Sequence, residues 1–170
     1  MLKVIIIDNE LEAIRTLKTQ LEKYCSHLVS VVAFCQDSEE AIPLILELHA
    51  DLIFLETEMS PFDGFELLDR VKDIPFEVIF ITNFDEHAVR AYNHSAIDYL
   101  LKPVKPADLR QAVERCQQKI SGKEYQRHLE GMLSGNGKSL ASDSTIVLHT
   151  EEGLTILKVG DILFLRAQGA

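Results

Sequence analysis

Apolar residues fall along this chain in short dense runs separated by longer stretches of helical spacing. The runs at 4–7, 29–34, 52–55, 78–81 and 97–101 are rich in β-branched and aromatic residues and carry few charges. A strand apolar at almost every position is covered on both faces, as in a parallel sheet. Between the runs, residues 10–24 place Leu11, Ile14, Leu17, Leu21 and Tyr24 three and four apart, the stripe of an amphipathic helix. Ser38-Glu39-Glu40-Ala41 reads as a helix start with acids in its first turn, continuing over 38–49 through Ile42, Ile45, Leu46 and His49. Asp63 or Gly64 opens a third helix, with Phe65, Leu67, Leu68 and Val71 apolar. A fourth covers about 85–94, and a fifth starts after Lys105-Pro106 and reaches Ser121-Gly122. This alternation predicts an α/β fold, a doubly wound five-stranded parallel sheet of flavodoxin-like type.

After residue 122 the pattern changes. Residues 123–143 read as a helical extension through Leu129 and Leu133, then a flexible linker containing Gly135, Gly137, Ser139 and Ser142. Strand-like runs follow at 146–148, 154–159 and 162–165, with Glu151-Glu152-Gly153 as a hairpin turn. So short a stretch is too small for a core of its own. The expected division is therefore 1–122, 123–143 and a β-rich fragment at 144–170, the beginning of a second domain cut short.

Charge narrows the function. The chain carries 27 acidic and 17 basic residues, a net charge of −10. Nearly all of the excess falls in 1–122, with 21 acids against 12 bases. Duplex binding rests on Lys and Arg neutralising phosphates, so this part should repel nucleic acid. Cys25, Cys35 and Cys116 form no close pair and read as buried apolar residues of a reducing compartment. The opening MLKVIIIDNE shows no signal peptide, and no apolar run approaches the roughly 20 residues that cross a bilayer. The expectation is a cytoplasmic protein without membrane contact. Histidines 27, 49, 87, 94, 128 and 149 show no ligand spacing.

The chemistry sits at the strand ends. The first strand runs into Asp8-Asn9-Glu10, the third into Glu56, the fourth into Thr82 and the fifth into Lys102. In an open parallel sheet, neighbouring carboxyl ends form one crevice. Acid, hydroxyl and amine can then meet where a metal ion and a phosphoryl group would be handled.

Five stretches in order carry a family resemblance: Ile5-Ile6-Ile7-Asp8-Asn9-Glu10, Asp51-Leu52-Ile53-Phe54-Leu55-Glu56, Met59-Ser60-Pro61-Phe62-Asp63-Gly64-Phe65, Ile81-Thr82, and Ala96-Ile97-Asp98-Tyr99-Leu100-Leu101-Lys102-Pro103. Over about 2–122 the chain resembles a response-regulator receiver domain of the LytTR (LytR/AgrA-type) two-component family. Over 144–170 it weakly resembles the start of a LytTR DNA-binding domain. The resemblance implies Mg²⁺ held at Asp8, Asn9 and Glu56, with Glu56 at the phosphoacceptor position. It implies that Thr82 and Tyr99 are the switch pair, that Lys102 pairs with phosphoryl oxygens, and that the Lys102-Pro103 bond is cis. It further implies a sensor histidine kinase as partner and a homodimer through the face of the fourth helix, fifth strand and fifth helix. DNA would be contacted through the mostly absent C-terminal domain, transcription would be the controlled process, and the chain would not be an enzyme.

Two residues depart from that pattern. Asn9 replaces an acid, leaving one carboxylate fewer for a cation that prefers hard oxygen ligands. Glu56 replaces the family's Asp and pushes its carboxylate about 1.5 Å further out. A misplacement of about 1 Å costs on the order of 10²-fold in such chemistry. Three accounts of Glu56 stay open: a built-in mimic of the phosphorylated state, an inert residue of a pseudo-receiver, or an engineered replacement of Asp. Any of them weakens or removes the phosphorylation site. The leading function is thus a receiver switch in phosphorelay signalling that controls transcription. The alternative is a phosphorylation-independent dimerisation or interaction module. A flavin binder would need a phosphate loop where Asp8-Asn9-Glu10 stands, and a phosphohydrolase would need a second acid or base.

Overall fold

The computed structural model describes residues 1–84, 91, 94, 96–133, 145–150 and 153–158. Two compact units divide the chain, Met1–Ser121 and Gly122–Ala170. The first holds strands β1 (Leu2–Ile7), β2 (Val29–Cys35), β3 (Leu52–Leu55), β4 (Glu77–Thr82) and β5 (Asp98–Leu101). All pair in parallel, in the order β2-β1-β3-β4-β5. Helices α1 (Leu11–Tyr24), α2 (Ser38–Leu48) and α3 (Gly64–Arg70) intervene, and α4 (Pro106–Leu133) follows. The helix predicted over about 85–94 falls outside the described residues, apart from Ala91 and His94.

The strands alternate their apolar residues between two cores. Val4, Ile6, Leu52, Phe54, Ile79 and Ile81 meet Ile14, Leu17 and Leu21 of α1 and Leu109, Ala112, Val113 and Cys116 of α4. On the opposite face, Ile5, Ile7, Ile53, Leu55, Val78 and Phe80 meet Ala41 and Ile45 of α2 and Phe65, Leu67 and Leu68 of α3. Burial on both faces is why β1, β3 and β4 lack the polar alternation of a half-exposed strand; the edge strand β2 departs from that expectation, with Ser30, Val32 and Phe34 exposed.

Helix ends follow local chemistry. Asp37 accepts the Glu39 and Glu40 N–H groups at 2.7 and 3.0 Å and starts α2. Asp63 accepts the Glu66 N–H at 2.7 Å and starts α3. Helix α2 ends one residue earlier than expected, because His49 takes a left-handed φ of 48°. Helix α4 passes through Gly122 to Leu133 without a break. A glycine inside a helix costs only about 1 kcal/mol, and a side chain at Gly122 would meet nothing within 4 Å, so no packing is lost there. In the second unit, β6 (Thr145–Thr150) and β7 (Gly153–Lys158) pair antiparallel, with Thr150 opposite Gly153. The run predicted at 162–165 and the turn residues Glu151 and Glu152 lie outside the described residues.

Candidate functional site

Strand order reverses between β1 and β3, because β2 lies on one side of β1 and β3 on the other. A crevice opens at the carboxyl ends there. Backbone bonds carry the pairing one residue past the strands and fix the site residues. The Asp8 N–H donates to the Cys35 carbonyl (3.2 Å), Glu56 to Ile7 (2.9 Å) and Lys102 to Thr82 (2.8 Å). Gly64 brings the start of α3 against this edge: its N–H donates to the Thr57 carbonyl at 2.9 Å. The Ser60-Pro61 and Lys102-Pro103 bonds are both cis.

Onto this frame the structure gathers Asp8, Glu56 and Lys102. The Lys102 ammonium lies 2.7 Å from Asp8 Oδ2 and 2.8 Å from Glu56 Oε2. All three are largely sheltered from solvent, Glu56 most of all at 3% exposure. The second oxygen of each acid is also engaged. Asp8 Oδ1 accepts the Glu10 N–H at 2.9 Å. Glu56 Oε1 accepts the Thr57 N–H at 2.7 Å, the Thr57 hydroxyl at 3.1 Å and the Glu58 N–H at 3.2 Å.

Burial pushes the Asp8 carboxyl above its ordinary value, outweighing Lys102 and the Glu10 N–H, which pull it down. Burial acts on Glu56 in the same sense. There, hydrogen bonding from Lys102 and Thr82 prevails and holds the carboxyl below its ordinary value. Lys102 is raised: burial disfavours the ammonium, and Asp8 and Glu56 more than compensate. One cation thus serves two buried acids.

Thr82 is fully buried at the end of β4, its hydroxyl 2.8 Å from that of Thr57. It also accepts the Phe84 N–H at 3.4 Å. Tyr99 is half-buried on β5, and its hydroxyl donates to the Phe84 carbonyl. Asn9 stands apart: it is exposed, and its carbonyl accepts from Gln36 Nε2 at 3.0 Å. Glu58 is exposed as well, whereas Met59 and Phe62 pack into the core beside α3.

Sequence reasoning missed Thr57. Strand alternation would have turned it away from Glu56, but β3 ends at Leu55, and beyond it residues 56 and 57 are both buried. A hydroxyl one residue past the strand-end acid was the only available signal.

The oxygens of Asp8 and Glu56 suit Mg²⁺ in kind, but Lys102 would compete with the ion for both. Lys102 already lies against both carboxylates, and among the described residues no group of three His, Cys, Asp or Glu side chains could hold a metal ion. As arranged, the site stores and orients negative charge.

A family model described as the response regulator receiver domain matches residues 4–114. The sensory transduction protein LytT of Bacillus cereus is 27% identical over 172 residues, covering 97% of this chain and 65% of that protein. The transcriptional regulatory protein BtsR of Escherichia coli is 32% identical over 123 residues, covering 71% of this chain and 50% of that protein. The chain therefore spans between half and about two thirds of the length of these relatives. Among solved structures, the receiver domain of AraT, a response regulator from Geobacillus stearothermophilus, superposes with a TM-score of 0.65 at 29% identity. That match covers 72% of this chain and 98% of the AraT domain.

Proposed function

We propose that this chain, which belongs to the response regulator receiver domain family, is the signalling end of a LytTR-type regulator that controls transcription. In this reading residues 1–122 form the receiver, 123–143 extend and link it, and 144–170 begin the DNA-binding part. Glu56 stands at the phosphoacceptor position. Thr82 and Tyr99 answer its charge, and Lys102 pairs with it.

One observation carries the reading. The carboxylate after β3 is paired with the lysine after β5, at 2.8 Å, beside the acid after β1. Phosphoryl transfer is mostly positioning and charge stabilisation, and those three groups supply both. With aspartate at position 56, a carboxylate oxygen would attack the phosphorus of a donor and form an acyl phosphate as the leaving group departs. With glutamate, both oxygens are already engaged, by Lys102 on one side and by Thr57 and the Glu58 N–H on the other. That engagement favours the second reading, a receiver that works without phosphorylation because its own carboxylate occupies the phosphoryl-binding groups. Asp8, Glu56 and Asn9 are the residues that would hold a Mg²⁺ ion, which would supply positive charge to a phosphoryl group. The ion would be held weakly, because Lys102 competes for both acids.

The proposed partners are a sensor histidine kinase, a second copy through β5, α4 and the segment at 85–94, and DNA through the second unit. The proposed compartment is the cytoplasm, and no enzymatic turnover is assigned. Among the described residues no helix is long and apolar enough to cross a membrane.

Intact mass after incubation with Mg²⁺ and a small phosphodonor tests this, for the parent chain and Glu56→Asp side by side. Labelling of Glu56→Asp alone is the expected result. If neither chain is labelled, the phosphorelay reading fails and a pure interaction module remains. If the parent itself is labelled, Glu56 is a working acceptor.

A further inference from the structure

Thr57 belongs to no motif read from the sequence, yet it stands between the two residues that the proposed switch must couple. Its side chain is buried, with the hydroxyl 3.1 Å from Glu56 Oε1 and 2.8 Å from Thr82 Oγ1. Counting hydrogens leaves two directions for these bonds. A threonine hydroxyl has one hydrogen, and an ionised carboxylate only accepts. Thr57 can therefore donate to Glu56 and accept from Thr82, or Thr82 can donate to Glu56 and accept from Thr57. Thr82 Oγ1 in turn accepts the Phe84 N–H at 3.4 Å, and the Tyr99 hydroxyl donates to the Phe84 carbonyl. A continuous path thus joins the acid after β3 to the tyrosine on β5, and bonds in such a chain polarise one another in a low-dielectric interior.

We propose that Thr57 is a positioning residue, the link through which the carboxylate of Glu56 orients Thr82 and, by way of Phe84, Tyr99. The proposal rests on the receiver reading of this site and adds a step to it. A glutamate at position 56 acts on the switch pair through a neighbouring hydroxyl, without a phosphoryl group. The residue type matters because valine has nearly the same shape and no hydrogen to give, whereas serine keeps the hydroxyl and loses a methyl.

The test is a double-mutant cycle read at Tyr99. The full chain is labelled with 3-fluorotyrosine. It has four tyrosines, and the fluorine resonance of Tyr99 is assigned by its loss in Tyr99→Phe. The change produced by Glu56→Gln is then measured at neutral pH in the parent, Thr57→Ser and Thr57→Val backgrounds. A Tyr99 shift in the parent and Thr57→Ser, and none in Thr57→Val, is the expected result. An equal shift in Thr57→Val would mean that Glu56 reaches Thr82 directly, and no shift in the parent would mean no coupling; either overturns the proposal. If Thr57→Val does not fold, the parent decides by the exchange of the Thr82 hydroxyl proton. Slow exchange with a cross-peak to Thr57 is expected, and exchange at the rate of a free hydroxyl overturns the link. Failure of the receiver reading shows separately, as absent phosphoryl labelling of Glu56→Asp, with the Tyr99 cycle unaffected.

Discussion

Lys102 is the residue on which the site's charge balance turns. It pairs with two acids that burial alone would drive towards protonation. Breaking a buried pair from one side leaves an uncompensated charge, so Lys102→Met should lose about 3 kcal/mol at pH 7. The pH dependence separates this loss from lost packing. In the parent, Glu56 is held below its unfolded value, so its contribution is complete above that value and is lost as pH falls through the lower, folded one. Asp8 is already raised, and without Lys102 it rises further. A raised carboxyl favours folding below its unfolded value and opposes it as pH rises. The deficit of Lys102→Met against the parent should therefore narrow between pH 7 and pH 4 in urea unfolding. A deficit independent of pH would mean that Lys102 matters through its methylenes.

At the level of elements, the site depends on how closely α3 approaches β3. A Cβ on Gly64 would stand 2.4 Å from the Glu56 carbonyl oxygen and 3.1 Å from Leu55. The obstacle is backbone, which cannot rotate aside. Gly64→Ala should cost about 2 kcal/mol and displace Glu56 from Lys102. A urea midpoint giving a loss below about 0.5 kcal/mol would show that the helix slides outward freely. The Asp63-Gly64 pair reads from sequence as a turn and helix start, and Asp63 does cap α3. The glycine's second role, leaving room for the Glu56 carbonyl, is a contact across eight positions of chain and has no local signature.

For the whole molecule, the two compact units predict that the site belongs to the first alone. Residues 1–122 carrying Glu56→Asp should take up phosphoryl to the same extent as the full chain with that change, and should unfold in one cooperative transition. Loss of labelling on shortening would tie the site to the second unit. The net charge of −10 also bears on DNA. Residues 1–170 should form no salt-sensitive nanomolar complex in a binding titration, because few phosphates can be neutralised.

Periodicity and strand-end chemistry were enough to anticipate the layered sheet, its five strands and the gathering of Asp8, Glu56 and Lys102. Those features depend on short-range patterns: dense apolar runs for strands buried on both faces, and polar residues where the runs stop. Helix α4 runs unbroken through Gly122 into the helical extension expected as far as Leu133, because one glycine is a weak helix breaker. The tertiary structure alone decided what Glu56 does with its extra length. Asn9 stays exposed, Lys102 spans both acids, and Thr57 stands within hydrogen-bond reach of both Glu56 and Thr82. Each of these depends on where strands far apart in sequence end relative to one another, a distance that parallel pairing sets and local pattern does not record.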